Sequence, residues 1–219
     1  MSEETLITDR LCQHPLFRPL DRNILGTLLS DPRCHLRRFQ NGETVFSDEA
    51  FEKALGLIVT GAVSVYRIGG GNPVLLNLLS AGDLFGAAAL FSGESHYVTR
   101  IVASGSASIF FLSAELCEEW IRSYPDFAIS YVRFLSDRIR FLNRRLASLA
   151  APGVEQKLAA FLLGDRETIG LRMVQIASAL GVGRASLYRA VDTFCERGWI
   201  RREGHGIRVL DRESLRSLL

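Results

Sequence analysis

Residues 173–194 read MVQIASALGVGRASLYRAVDTF, and their spacing decides how the chain is organised. Ile176, Ala177 and Leu180 fall on one face of a first helix, Gly181-Val182-Gly183 interrupts it, and Leu187 and Val191 share one face of a second. Ala177 is small where two helices must cross closely. Gly181 can adopt the left-handed conformation that ends a helix, and Val182 is placed as the apolar plug of the turn. The pattern predicts a helix-turn-helix whose second helix lies in the major groove of DNA. Arg184, Ala185, Ser186, Tyr188 and Arg189, at the start of that helix, are the candidates to meet base edges. Arg184 and Arg189 are suited to bidentate guanine contacts, and Arg172, at the start of the first helix, to a phosphate.

Downstream, residues 194–211 read FCERGWIRREGHGIRVLD. They predict a helix end, a strand from Trp199 to Arg202, a turn at Glu203–Gly206 and a strand from Ile207 to Leu210, which together form a wing. Arg201, Arg202, His205 and Arg208 are its candidate phosphate contacts, although a hairpin of alternating charges is also an ordinary solvated one. The charge is concentrated here. Residues 154–219 hold 11 basic and 8 acidic side chains, against 15 and 16 in residues 1–150, and the stretch from Arg172 to Arg208 alone has 7 against 3.

Upstream lies the strongest periodic signal of the chain. Ala128, Val132, Leu135, Ile139, Leu142, Leu146 and Leu149 follow one another at steps of 4, 3, 4, 3, 4 and 3 residues, the seam of a two-stranded coiled coil. A core helix packing on its own domain is the competing reading, and Phe127, Tyr131, Phe134 and Phe141 supply a second apolar stripe for that purpose. Two stripes predict a helix with aromatics toward its own domain and aliphatics toward a second copy. Ala150-Ala151-Pro152-Gly153 ends the helix and is the expected hinge.

Further upstream, residues 34–112 break into short apolar runs punctuated by glycine: LRRF, ETVF, ALGLIVTG, AVSVYRI, VLLNLL, YVTRIVA and SASIFFL. Strands at this spacing indicate an antiparallel barrel or sandwich. Residues 5–30 are apolar at helical spacing and are split by Pro15 and Pro19 into short helices, a cap on the strands.

Composition removes several alternatives. The 219 residues are 47% hydrophobic and 23% charged, ordinary for a globular chain, and no window approaches a membrane span. The first residues, Met1 to Thr5, lack the order of a signal peptide, so a cytoplasmic location is expected. Cys12, Cys34, Cys117 and Cys195 are 22, 83 and 78 residues apart, which signals neither a zinc site nor a disulfide framework and fits small buried hydrophobes. Of the 26 basic residues, all but Lys53 and Lys157 are arginine, the side chain suited to phosphate and guanine. No GxSxG, HExxH or P-loop is present, and the glycines of IGGGNP (68–73) form a hairpin turn with no helix behind them, so an enzyme is not expected.

Taken together, the chain resembles the Crp/Fnr family of bacterial transcription regulators over residues 10 to 215. The resemblance is carried by Asn41-Gly-Glu-Thr-Val-Phe46, by Gly82-Asp-Leu-Phe-Gly86 with Leu90-Phe91, by Pro125-Asp126, by Lys157-Leu-Ala-Ala-Phe-Leu-Leu163 and by the helix-turn-helix. It implies an α+β architecture: an N-terminal antiparallel β-roll of the cyclic-nucleotide-binding kind with its helical cap (1–123), a long dimerisation helix (124–151) and a C-terminal winged helix-turn-helix (152–219). It also implies a homodimer on a palindromic promoter site, with double-stranded DNA and RNA polymerase as partners and no membrane.

The effector site departs from the family pattern. Cyclic-AMP-binding members carry a cassette like G-D-x-x-G-E-L followed by R-S, in which the glutamate holds the ribose and the arginine-serine pair neutralises the phosphate. Here Ala87 follows Gly86, Tyr97 and Val98 stand at the Arg-Ser positions, and Arg100 enters only through a three-residue slip of register around Gly93. Leu142, with Asn143 beside it, takes the place of the dimer-helix hydroxyl. The expected pocket is therefore apolar, lined by Leu84, Phe85, Ala87, Leu90, Tyr97, Val98, Leu142 and Asn143, and activation by cyclic AMP is not expected. Cys12 stands alone at the N-terminus and the strand position of the family's further cysteine falls near Ile109 to Phe110, so an iron–sulfur cluster is not expected. His14, His35 and His96 are conceivable haem ligands, but a lone histidine is more often a surface or satisfied residue. No cofactor is expected. The rival reading is an effector-binding sensor, for haem or another small molecule, whose DNA binding is secondary or lost. Arg184, Ser186 and Arg189 argue against it.

Overall fold

The computed structural model describes residues 2–48, 52–67, 74–93, 99–163, 168–169, 173–204 and 206–219. Of the residues singled out from sequence, the glycines of the 68–73 turn, His96, Tyr97, Val98, Arg172 and His205 lie outside these, as does the side chain of Leu149. The chain forms two compact units, Met1–Ser136 and Asp137–Leu219.

In the first unit the cap follows from capping chemistry and proline. Helix α1 (Glu3–Gln13) opens on Ser2, whose hydroxyl accepts a hydrogen bond from the Thr5 amide at 3.2 Å, with Glu3 and Glu4 at the positive end of the helix dipole. After Pro15 and Pro19, α2 (Arg22–Thr27) restarts on Asp21, which accepts from the Asn23 amide at 2.8 Å, and one 3₁₀ turn at Leu28–Ser30 leads into the strands.

Eight strands follow: β1 (Cys34–Phe39), β2 (Thr44–Phe46), β3 (Ala54–Thr60), β4 (Ala62–Arg67), β5 (Val74–Ser80), β6 (Leu84–Phe85), β7 (Thr99–Ala103) and β8 (Ala107–Ser113). They pair antiparallel into two four-stranded sheets, ordered β1-β8-β3-β6 and β2-β7-β4-β5. Alternation along the strands sets their faces. Phe39, Phe46, Ile58, Val63, Phe85, Ile101, Ile109 and Phe111 fill one core, while Leu55, Leu57, Leu84, Phe110 and Leu112 pack with the cap in another. Gly61 makes the β3–β4 turn at φ +81°, where a Cβ would stand 2.2 Å from the Ser106 carbonyl oxygen, so only glycine fits.

Helix α3 (Ala87–Leu90) starts behind Gly86 at φ +87°. Ser113 caps α4 (Ala114–Ser123), its hydroxyl accepting from the Leu116 amide at 3.3 Å. The 26-residue α5 (Pro125–Ala150) begins with proline, whose missing N–H costs nothing at a first helical position. Its Phe127 and Tyr131 are fully buried in the cap core and Phe134 is partly buried against it, as the aromatic stripe predicts, whereas Phe141 falls in the second unit and is half-buried. Leu135 departs from expectation. It packs against the cap core beside Tyr131 rather than standing clear with the aliphatic seam. Ile129, Val132, Ile139, Leu142 and Leu146 are each at least half exposed.

The second unit contains α6 (Val154–Leu162), β9 (Thr168–Ile169), α7 (Met173–Leu180), α8 (Arg184–Glu196), β10 (Ile200–Glu203), β11 (Gly206–Val209) and α9 (Arg212–Arg216). Its core gathers Leu158, Leu162, Ile176, Leu180, Leu187, Val191, Phe194, Ile200, Ile207 and Leu215. The wing is three-stranded, in the order β10-β11-β9, and β9 comes from a stretch whose sequence carries no strand signal. Trp199 lies just before the hairpin, packed on Phe194 with the Arg197 guanidinium 4.8 Å from its ring centroid.

Candidate nucleic-acid interface

The turn between α7 and α8 forms as its residues dictate. Gly181 sits at φ +63°, the Val182 amide donates to the Ala177 carbonyl at 3.1 Å, and Val182 packs against the core. Burial of Leu187, Ala190, Val191 and Phe194 turns the opposite face of α8 outward. That face presents Arg184, Ala185, Tyr188, Arg189 and Asp192, with Ser186 half-buried. The Arg189 side chain lies along its own helix, its Nε donating to the Ala185 carbonyl and its Nη2 to Ser186 Oγ, both at 3.4 Å. Beside it opens a cleft of about 530 Å³, lined by Gly153, Glu155, Gln156, Ser186, Arg189 and Thr193 among others.

The wing arginines are arranged in a way the sequence does not reveal. Arg201 and Arg208 stand directly opposite each other across the hairpin, an unfavourable placement for like charges. Glu203 offsets it, with its Oε1 accepting from Arg201 at 3.1 Å and from Arg208 at 3.0 Å. Arg202 instead reaches α8, donating to Asp192 Oδ1 at 2.6 Å with its guanidinium 5.7 Å from the Tyr188 ring centroid. All three are therefore ion-paired within the domain. Exposed pairs of this kind are worth about 0–1 kcal/mol, so phosphates can compete for Arg201 and Arg208. Neither pairing is legible in the sequence, where Glu203 opens the predicted turn and Asp192 only lowers the local charge.

Within the first unit, the described residues of the expected effector lining divide between two cores. Leu84, Ala87 and Leu90 belong to the cap core, while Phe85, one residue on, points into the core between the strands. Phe85 packs there at 5.3 Å from Phe46 and 6.1 Å from Phe111, and its ring closes over Gly56, where a Cβ would come within 2.3 Å of it. Arg100 corrects the sequence reading. On β7, Ile101 and Ala103 point inward, so Arg100 faces outward, where it is exposed and donates to Thr44 Oγ1 at 3.0 Å. Leu142 and Asn143 are exposed on the part of α5 in the second unit. Of the two described histidines raised as metal ligands, His14 packs edge-on to Phe17 and Phe134 and its Nδ1 accepts from the Leu16 amide. His35 stacks on Phe111.

Two family models match the chain: a cyclic nucleotide-binding domain over residues 36–124 and a Crp-like helix-turn-helix domain over residues 156–218. Among curated proteins, a CRP-like cAMP-activated global transcriptional regulator of Mycobacterium tuberculosis is 29% identical over 192 residues, 81% of this chain and 84% of that protein. Among solved structures, the catabolite activator protein of Thermus thermophilus is 25% identical with a TM-score of 0.53, covering 93% of this chain and 97% of the other. A CooA mutant from Carboxydothermus hydrogenoformans shares the fold at a TM-score of 0.69 and 20% identity, covering 88% and 89%. A cyclic-nucleotide-binding-like β-domain followed by a long helix and a winged helix-turn-helix defines a DNA-binding transcription regulator. The chain belongs to the Crp/Fnr family.

Proposed function

We propose that the chain acts as a homodimer on a two-fold symmetric duplex whose half-sites lie about one helical turn, roughly 34–36 Å, apart. The observation that carries this is the outward face of α8, where Arg184, Ala185, Tyr188 and Arg189 are exposed beside Ser186. Arg184 and Arg189 read guanine, and Arg201 and Arg208 exchange Glu203 for phosphate on binding. Arg172, by its place before α7, holds a phosphate. Dimerisation through α5 is supported by Val132, Ile139, Leu142 and Leu146, large aliphatics that stay at least half exposed in the single chain. RNA polymerase is the partner the family implies, and the cytoplasm the compartment.

The Mycobacterium relative is described as cAMP-activated, but this chain's residues support a different control. Ala87 follows Gly86 where the cyclic-AMP cassette has glutamate, and Arg100 is turned to the outer face of its sheet. A cyclic phosphate buried without a paired arginine strands a charge at a cost of several kcal/mol. The regulator accordingly responds to a small apolar or aromatic effector or to none, and uses no haem or iron–sulfur cluster.

Selection from a randomised duplex pool tests the DNA reading: recovery of a palindrome supports it, and recovery of no sequence overturns it. Calorimetry with cyclic AMP and cyclic GMP at millimolar concentration tests the rest, since saturable binding that tightens DNA affinity overturns the proposed independence from cyclic nucleotides.

A further inference from the structure

The three wing arginines do not share one role. Ile200 and Arg202 face the same side of the hairpin as Ile207 and Val209, whose side chains are buried in the core of the domain, whereas Arg201 and Arg208 face the other side. Arg202 is thus delivered to the edge of the core along which α8 runs. Tyr188 and Asp192 are four residues apart on α8 and so adjacent on its surface. Arg202 spans both, with its Nη2 2.6 Å from Asp192 Oδ1 and its guanidinium 5.7 Å from the Tyr188 ring centroid, inside the roughly 6 Å range of a cation–π contact.

We infer that Arg202 is a positioning residue for the recognition helix rather than a phosphate contact. It neutralises Asp192, the carboxylate that would otherwise confront the DNA backbone, and it braces the Tyr188 ring so that the ring, 42% exposed, is the wing-side group offered to base edges. The geometry explains why arginine is needed. A planar guanidinium can stack on a ring and donate to a carboxylate together, whereas a lysine ammonium offers a point charge. The inference rests on the DNA-binding reading above and assigns to the Tyr188–Asp192–Arg202 cluster a part in specificity.

The test uses the full chain and the duplex that the wild-type protein selects from a randomised pool. Arg202→Ala should weaken binding about tenfold, leave the slope of log affinity against log salt unchanged, and flatten preference at the same base pairs as Tyr188→Ala. Asp192→Asn should restore most of the affinity in the Arg202→Ala background and change little in the wild type. Arg202→Lys should keep the affinity but lose the base preference. A slope reduced by about 0.9, the signature of one lost phosphate contact, with base preference intact and equal effects of Asp192→Asn in both backgrounds, overturns the inference. A DNA-free readout keeps the two readings separable. In protein with ¹³C-labelled tyrosine, assigned by Tyr188→Phe, the Tyr188 ring signal should move on Arg202→Ala. An unmoved signal overturns the inference even where DNA binding holds, and a moved signal supports the brace even where the wild type selects no sequence.

Discussion

The Tyr131 hydroxyl of α5 donates to the Ala87 carbonyl of α3 at 2.7 Å, with both groups buried. The bond joins the long helix to the short helix that follows Gly86. Burial pushes the Tyr131 hydroxyl above its ordinary pKa, so it stays a donor across the working pH range. Tyr131→Phe leaves the Ala87 carbonyl without this donor and should destabilise the β-domain by about 1–2 kcal/mol, read by urea unfolding. An unchanged midpoint would show that the carbonyl finds water instead.

Gly86 should tolerate no side chain. Its φ of +87° is strained for any L-residue, and a Cβ there would sit 2.3 Å from the Ala54 carbonyl oxygen. Gly86→Ala should cost about 2–4 kcal/mol, seen as a lowered Tm, whereas Gly93→Ala, where the added Cβ meets no heavy atom of the described residues within 4 Å beyond its chain neighbours, should cost less than about 1 kcal/mol.

Ile139→Lys with Leu142→Lys should give folded monomers, because both side chains are exposed in the single chain and like charges would face each other across the helix pair. Sedimentation should show half the wild-type mass with unchanged helical signal. Leu135→Lys should instead unfold the cap, since Leu135 packs against Tyr131's core. A double variant that remains dimeric places the dimer contact elsewhere.

Burial pushes the Cys34 and Cys117 thiols up to about 12, which leaves roughly one part in ten thousand as thiolate at pH 8. Iodoacetamide at pH 8 should therefore leave both unmodified in the folded protein and label them in urea, as followed by mass spectrometry. Rapid labelling of Cys117 without denaturant would contradict its place in the core.

Acid stability has an identifiable source in the second unit. The Ser214 hydroxyl first, and then the Ser214 and Glu213 amides, hydrogen-bond to Asp211 and hold its carboxyl below the usual carboxylate range. A depressed folded pKa contributes stability that is present above the unfolded value and lost as pH falls through the folded one. Stability should therefore drop below about pH 4, and Asp211→Asn, which keeps a cap but cannot titrate, should lessen that drop in a pH series of thermal melts.

What the sequence determined by itself was everything governed by near neighbours. The 3.6-residue spacing of Ile176, Leu180, Leu187 and Val191, the left-handed Gly181 and the proline breaks of the cap depend on a few adjacent dihedrals, and each stands in the structure where its spacing puts it. The two-residue alternation of the β-segment belongs to the same kind, except that β9 is too short to carry a period. Tertiary structure alone decided where individual side chains end. Arg100 faces outward because its strand's register is set by pairing with β2 and β4, tens of residues away in sequence. Leu84 and Phe85 part into separate cores because the cap helices cover one face of their sheet and the second sheet covers the other. Leu135 goes to the cap because Tyr131 is anchored there. The wing arginines find Glu203 and Asp192 because a hairpin folded against α8 brings opposite charges to 2.6–3.1 Å. Local periodicity names an element and its buried face, but ion pairs act over a few ångströms between residues the chain brings together only when it folds.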